Sequence, residues 1–363
     1  MTSILRPTPN SPFAGCDFVV QLDRQRKNTP IRLLQLTDTQ IIDASQTPRS
    51  DWLRADEVRA WDPANFDLQC GDHIRSLVAQ ADPDLIFLTG DLVYGSFDHN
   101  GSVLTWFCQL MDSFKIPWAP VFGNHDNESK RGVAWQCAQF ENSEYCIFSR
   151  GEVTGNGNYT VGIAVGEQLV RVLYMLDTNG CRATEDPEVV KKTGVYPDQL
   201  ELVTSCSQKL AETWGKPIPG FMAFHIPMKE FAEAAAAKGY PPCGESYTIG
   251  VDVPALDGDF GRAEGPFRPF DTGIDFVEYL HKNHIDGVFT GHWHSINTCI
   301  TWQNIRWVFG LKTGQYDFHN PYQLGGTLVT LLGENFFVNH IPTLSKCGGF
   351  PAKAPIFSDF FVS

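Results

Sequence analysis

Five short stretches combine carboxylates, amides and imidazoles in a pattern that can hold metal ions and move a proton. One is Phe122-Gly123-Asn124-His125-Asp126, which follows the apolar Trp118-Ala119-Pro120-Val121. Asn124 offers a neutral oxygen ligand, His125 can transfer a proton, and Asp126 can hold an imidazole in one orientation. Alone, the same residues make an ordinary polar β-turn. The other stretches supply partners: Asp38 with Gln40, Asp91 with Tyr94, His225, and His292 with His294. Each follows a short apolar run. The mixed oxygen and nitrogen donors suit Fe, Mn or Zn better than Ca or Mg, and there are enough of them for two ions. If one carboxylate bridges the ions, they sit about 3.5–4 Å apart and can clamp an in-line displacement at phosphorus.

The elements that must position these residues read as alternating strands and helices. Residues 31–36 form a nearly continuous apolar run, as in a strand buried on both faces, and stop at Thr37-Asp38-Thr39-Gln40. Helical spacing over 65–81 leads to a strand at 85–88 that ends in Gly90-Asp91. Leu104, Phe107, Cys108 and Met111 recur at i, i+3, i+4 and i+7, giving an amphipathic helix before the strand that carries the pentapeptide. Polar groups thus gather at the ends of successive strands, where open α/β sheets place their sites. Further strands are expected at 159–165, 170–176, 221–224 (running into His225), 287–290 (running into His292), 305–310, 327–332 and 335–340. Helices are expected at 197–214, 228–238 and 274–282. The stretches 43–65 and 240–269 read as long surface excursions, the second a candidate lid. The expected organisation is an arm over 1–29, one domain over 30–345 with a second sheet made by the late strands, and a tail over 346–363.

The composition narrows the partners. With 363 residues, 42% of them apolar, the chain can bury a full core. Its formal charge of −14 repels phosphate backbones and anionic lipid, so non-specific nucleic-acid binding is not expected. A small anionic substrate would need a cleft neutralised by metal ions. Residues 1–10 contain no apolar run of signal-peptide length, and no stretch approaches the length of a membrane span, so the chain as given is expected to be cytoplasmic. Secretion stays open for a longer parent sequence. The ten cysteines form no C-x-x-C pair, which disfavours a zinc ribbon or redox motif.

The ordered series resembles the calcineurin-like metallophosphoesterase superfamily, whose motifs run D-x-H, G-D, G-N-H-D/E, H and G-H-x-H. The likeness covers residues 34–294. Phe224-His225-Ile226-Pro227 and Met175-Leu176-Asp177-Thr178 are similar to its Dcr2-like branch. The resemblance implies a four-layer α-β-β-α sandwich of two mixed sheets and a centre of two Fe, Mn or Zn ions. It implies Asp38 and His294 on one ion, Asp91 bridging, and Asn124, His225 and His292 on the other. His125 would contact the phosphate or protonate the leaving group, with Asp126 orienting it. The chain departs from the pattern at Gln40, where the superfamily has a histidine ligand. Gly90-Asp91-Leu92-Val93-Tyr94 is similar to the G-D-x-x-Y motif of purple acid phosphatases, in which the tyrosine is a ferric ligand. Tyr94 is therefore either a ligand or packing beneath the loop, and Gln40 either a weak ligand or a residue facing substrate or water. His99 and Trp293 are candidate substrate contacts.

The function expected from these residues is dinuclear hydrolysis of phosphate esters. A metal ion lowers the pKa of bound water from ~15.7 to about 7, giving hydroxide that attacks phosphorus while His125 assists the leaving group. A phosphomonoester is the favoured substrate. A phosphodiester of a nucleotide or phospholipid type is the alternative, and a non-catalytic metal-binding scaffold the alternative of another class.

Overall fold

The computed structural model describes residues 2–23, 29–43, 66–180, 193–241, 246–249, 258–263, 269–315, 317 and 323–343. A five-stranded sheet runs in the order Asn335–Pro342, Gly325–Leu332, Ile31–Leu36, Leu85–Thr89, Trp118–Val121. Its last three strands are parallel, and its first two form an antiparallel hairpin joined antiparallel to Ile31–Leu36. An eight-stranded sheet runs Ser3–Leu5, Phe18–Leu22, Tyr159–Val165, Gln168–Met175, Gly220–Ala223, Ile285–Thr290, Ile305–Phe309, Cys299–Trp302. The four strands from Gln168–Met175 to Ile305–Phe309 are mutually parallel.

Side-chain alternation along these strands builds two cores. Phe221, Ala223, Phe289 and Val308 of the larger sheet share one core with Leu33, Phe87 and Val329 of the smaller. The Phe87 and Phe289 rings meet edge to face across the sheets, with centroids 5.4 Å apart. Met222, Phe224, Val288 and Trp307 point the other way, toward the helices Pro197–Trp214, Glu230–Ala237 and Phe276–Lys282. The helices Phe66–Ala81, Ser102–Ser113 and Val133–Asn142 contribute Ile74, Phe107 and Phe140 to the first core. The expected four-layer α-β-β-α sandwich is the observed one.

Register decides where the chemistry falls. Leu36 pairs with Leu88, and Thr89 with Val121, so the loops of Asp38, Asp91 and Asn124 leave the small sheet side by side. Met175 pairs with Ala223, Ala223 with Phe289, and Thr290 with Phe309, which aligns the loops of Asp177, His225, His292 and Lys312 on the large sheet. The two rows of loops meet at one end of the sandwich.

Several expectations are revised. The segment read as an arm over 1–29 with at most an edge strand contains two strands of the large sheet, and Phe18, Val19, Val20 and Leu22 of the second are buried. The helix Val133–Asn142 has a weak apolar signature because its buried face includes Gln136, whose Nε2 donates to the Asp126 carbonyl at 2.7 Å. The second excursion holds a two-stranded sheet, Tyr247–Ile249 with Gly261–Ala263. Residues 44–65 of the first excursion and the tail over 346–363 lie outside the described residues.

Candidate metal centre

The loops that carry the motif residues turn sharply. Asp38, Gln40, Asp91 and His292 all adopt positive φ, at 49°, 40°, 52° and 74°. Each such residue costs about 1–3 kcal/mol and persists where its surroundings over-determine it. Here they do. The Asp38 amide donates to the Gly90 carbonyl at 3.0 Å and the Gln40 amide to the Asp91 carbonyl at 2.9 Å. The His292 amide donates to Asp38 Oδ2 at 3.0 Å, and the His125 amide to Asp91 Oδ1 at 2.8 Å. Two motif glycines are required by close approach: a Cβ at Gly123 would collide with the Asp91 carboxylate, and one at Gly291 with the side chains of Thr37 and Asp38.

One half of the site converges on His225, which is fully buried. Its Nδ1 donates to the Thr89 carbonyl at 2.8 Å. A carbonyl only accepts, so in the neutral ring the proton sits on Nδ1 and Nε2 presents a lone pair. That Nε2 faces Asp91 Oδ2, Asn124 Oδ1 and His292 Nδ1, each at 3.2 Å. Four lone-pair atoms converging on one small volume are reconciled by a cation among them. Asn124 is buried, and its Nδ2 has no hydrogen-bond partner among the described residues. Holding Oδ1 toward the cluster leaves that amide nitrogen unsatisfied, which also fits a ligand role for the oxygen. The donor set therefore fits a transition-metal ion.

The other half joins Asp38, Asp91 and His294, whose potential ligand atoms also lie within 4.8 Å of one another. His294 Nε2 is 3.3 Å from Asp38 Oδ1, and its Nδ1 is 3.9 Å from Asp317 Oδ2. Asp91 belongs to both groups, as a bridging carboxylate would. The field of the cluster favours positive charge. Burial pushes the Asp38 carboxyl upward, but the His294 contact and the charges of His225 and His294 outweigh it and leave the group at about 2. Burial likewise opposes charge on His225, yet Asp91 and Asp38 raise it to about 9.

Gln40, the departure from the pattern, is buried between two charged partners. Its Nε2 donates to Asp91 Oδ2 at 3.2 Å, while its Oε1 accepts from Lys312 Nζ. The sequence motifs do not reach Lys312 or Asp317. Both stand just past the strand Ile305–Phe309, so the rule that polar residues at strand ends build the site would have found them.

The proton-transfer candidate differs from expectation in its partner. Asp126 does not orient His125: its Oδ1 accepts from the Val93 amide at 3.0 Å and its Oδ2 from the Gly123 amide at 2.7 Å. Its carboxylate fixes the loop. Glu128 Oε1 instead lies 3.0 Å from His125 Nδ1, and Ser96 Oγ donates to Glu128 Oε2 at 2.6 Å. The short 3-10 turn Asp126–Glu128 brings residue 128, rather than the sequence neighbour, beside the ring. Burial lowers the His125 pKa, but Asp91 and Glu128 outweigh it and the net shift is upward. The Tyr94 ring packs on His125 with centroids 4.2 Å apart, and on Phe97 at 4.9 Å.

The remaining candidates lie around this core. The Trp293 ring stands edge-on to His292 at 5.3 Å. His99 is partly buried, with Nδ1 unpartnered among the described residues, and burial and the charge of Lys130 lower its pKa. Asp177 closes its own loop by accepting from the amides of Asn156 and Asn179.

The chain is similar to several known proteins. The chain is 26% identical over 290 residues to probable inactive purple acid phosphatase 14 of Arabidopsis thaliana, covering 72% of this chain and 67% of that protein. It is 25% identical over 267 residues to phosphatase DCR2 of Saccharomyces cerevisiae, covering 68% of this chain. It spans 42% of that yeast protein, and 42% of an uncharacterized protein of Schizosaccharomyces pombe. Among solved structures, a dimetal phosphatase from Danio rerio aligns with 85% of this chain and 95% of its own, at 10% identity and a TM-score of 0.49. Residues 31–295 match the family model described as calcineurin-like phosphoesterase. That match runs from the strand before Asp38 past the loop of His294, and the chain belongs to the calcineurin-like phosphoesterase family.

Proposed function

We propose that the chain hydrolyses phosphate esters with the help of two transition-metal ions, and that phosphomonoesters are its preferred substrates. The observation that carries this reading is the convergence of Asp91, Asn124 and His292 on the Nε2 lone pair of His225. Asn124, His225 and His292 would hold one ion, Asp38 and His294 the other, with Asp91 shared. When bound, such ions supply Lewis-acid stabilisation at phosphorus and acidify a water molecule.

The chain's own side chains do the rest. His125 Nδ1 is turned to Glu128, which leaves Nε2 to give a proton to the departing oxygen. Ser96 fixes Glu128, whose carboxylate lies beside Nδ1, and Tyr94 packs on the ring face, so the imidazole is pre-aimed. Asp126 keeps the Gly123 turn in place so that Asn124 and His125 face the cluster together.

Relatives named inactive are 26% and 24% identical to this chain over 290 and 314 aligned residues. The catalytic reading rests on the side chains this chain brings together, Asp91, Asn124, His125, His225 and His292 among them. Assaying the metal-loaded protein on aryl phosphate mono- and diesters in parallel tests it. Faster monoester hydrolysis is expected. A diester rate far above the monoester rate would reassign the substrate class, and binding of metal without hydrolysis of either would favour a scaffold.

A further inference from the structure

Lys312 is 2% exposed and stands among the loops of the site. Its Nζ donates to the Asp38 carbonyl at 2.9 Å and to Gln40 Oε1. Its backbone is stitched to the same loop: the Thr313 amide donates to the Thr37 carbonyl at 2.8 Å and the Gly314 amide to the Asp38 carbonyl at 3.2 Å. At Gly314 an added Cβ would strike the Thr39 carbonyl, so the approach is as close as a backbone allows. The lysine is thus built into the Asp38–Gln40 turn.

This contact settles how the Gln40 amide is used. A lysine ammonium has donors and no acceptor, so the amide must turn its oxygen to Lys312. Its NH2 is then left for Asp91 Oδ2, the carboxylate common to both halves of the site. An amide held this way keeps its oxygen off any ion at Asp38, Asp91 and His294. The positive charge beside that position also repels a second cation.

We propose that Lys312 makes the Asp38–Asp91–His294 position the weaker of the two metal positions, by occupying the Gln40 oxygen and by placing its own charge beside the site. This rests on the dinuclear reading above. Gln40 is then a strut between Lys312 and Asp91, and the tighter ion belongs with Asn124, His225 and His292.

Calorimetric titration of the full, chelator-treated chain with Mn²⁺ tests the proposal without using catalysis. The wild type is expected to bind two ions with affinities at least about tenfold apart, or one ion alone. Lys312→Met should strengthen the weaker class about tenfold, the scale on which outer partners of metal ligands act. Gln40→Ala should leave the tighter class intact and remove no class, and Asn124→Ala should abolish the tighter one. Two equal classes in the wild type, a class lost in Gln40→Ala, or loss of the weaker class alone in Asn124→Ala would overturn the proposal. If Lys312→Met fails to fold by circular dichroism, the wild-type, Gln40→Ala and Asn124→Ala titrations decide. Absence of any Mn²⁺ binding would overturn both this inference and the dinuclear reading. Unequal binding without hydrolysis would overturn only the hydrolase.

Discussion

Glu128 Oε1 lies 3.0 Å from Nδ1 of His125, whereas the carboxylate of Asp126, next to that histidine in sequence, accepts from the Val93 and Gly123 amides. The two acidic residues therefore separate in their consequences. Glu128→Gln should lower kcat by about 10²-fold, the lower end of what a positioned acid contributes, with metal content unchanged. Steady-state kinetics with metal analysis checks this. An unaltered kcat would remove Glu128 from the account.

Asp126→Asn should act on stability. Its new amide would set an N–H against one of two backbone donors, leaving a buried donor unsatisfied at a cost of about 1–3 kcal/mol. Chemical denaturation should report that loss. A stable protein with a selective fall in kcat would restore Asp126 to His125.

Tyr94 is expected to act through its ring. Tyr94→Phe keeps the aromatic contact and should retain metal content and near-native kcat. Tyr94→Leu forfeits a pair worth about 0.5–1.5 kcal/mol and should lower both stability and rate. Visible spectroscopy of iron-loaded protein is the check: a charge-transfer band that disappears in Tyr94→Phe would make the tyrosine a ligand.

His340 sets a pH dependence remote from the site. Withdrawal of the ring from water and the nearby Arg306 push its pKa down to about 4 against the ordinary 6.5, despite its bond to the Asn297 carbonyl. A group depressed on folding contributes stability that is fully present above pH 6.5 and is lost as the pH falls toward 4. His340→Gln should therefore show a smaller loss between pH 7 and pH 4.5, by on the order of 2 kcal/mol, in denaturant titrations. Parallel losses in the two proteins would contradict it.

Much of the fold and of the candidate site was legible because each candidate ligand follows a buried strand, and short apolar runs ending in polar residues survive translation from sequence to structure. Asp38, Asp91, Asn124, His225, His292 and His294 all fall at such ends. The partners of these residues were not. Glu128 is chosen over Asp126 by one 3-10 turn, and Lys312 meets Gln40 across 272 residues. Contacts of that kind depend on loop geometry, which hydrophobic periodicity does not encode. The strand Phe18–Leu22 was obscured by its polar, proline-rich surroundings, although the sheet buries nearly all of it.

The most direct test of the account is phosphate release from an aryl monoester by wild type and Asp91→Asn, each stripped of metal and then supplied with Mn²⁺. Hydrolysis is expected to return with the ion in the wild type and to stay low in the variant, which lacks the carboxylate shared by both halves of the site. Hydrolysis that ignores the ion, or equal recovery in both proteins, would contradict it.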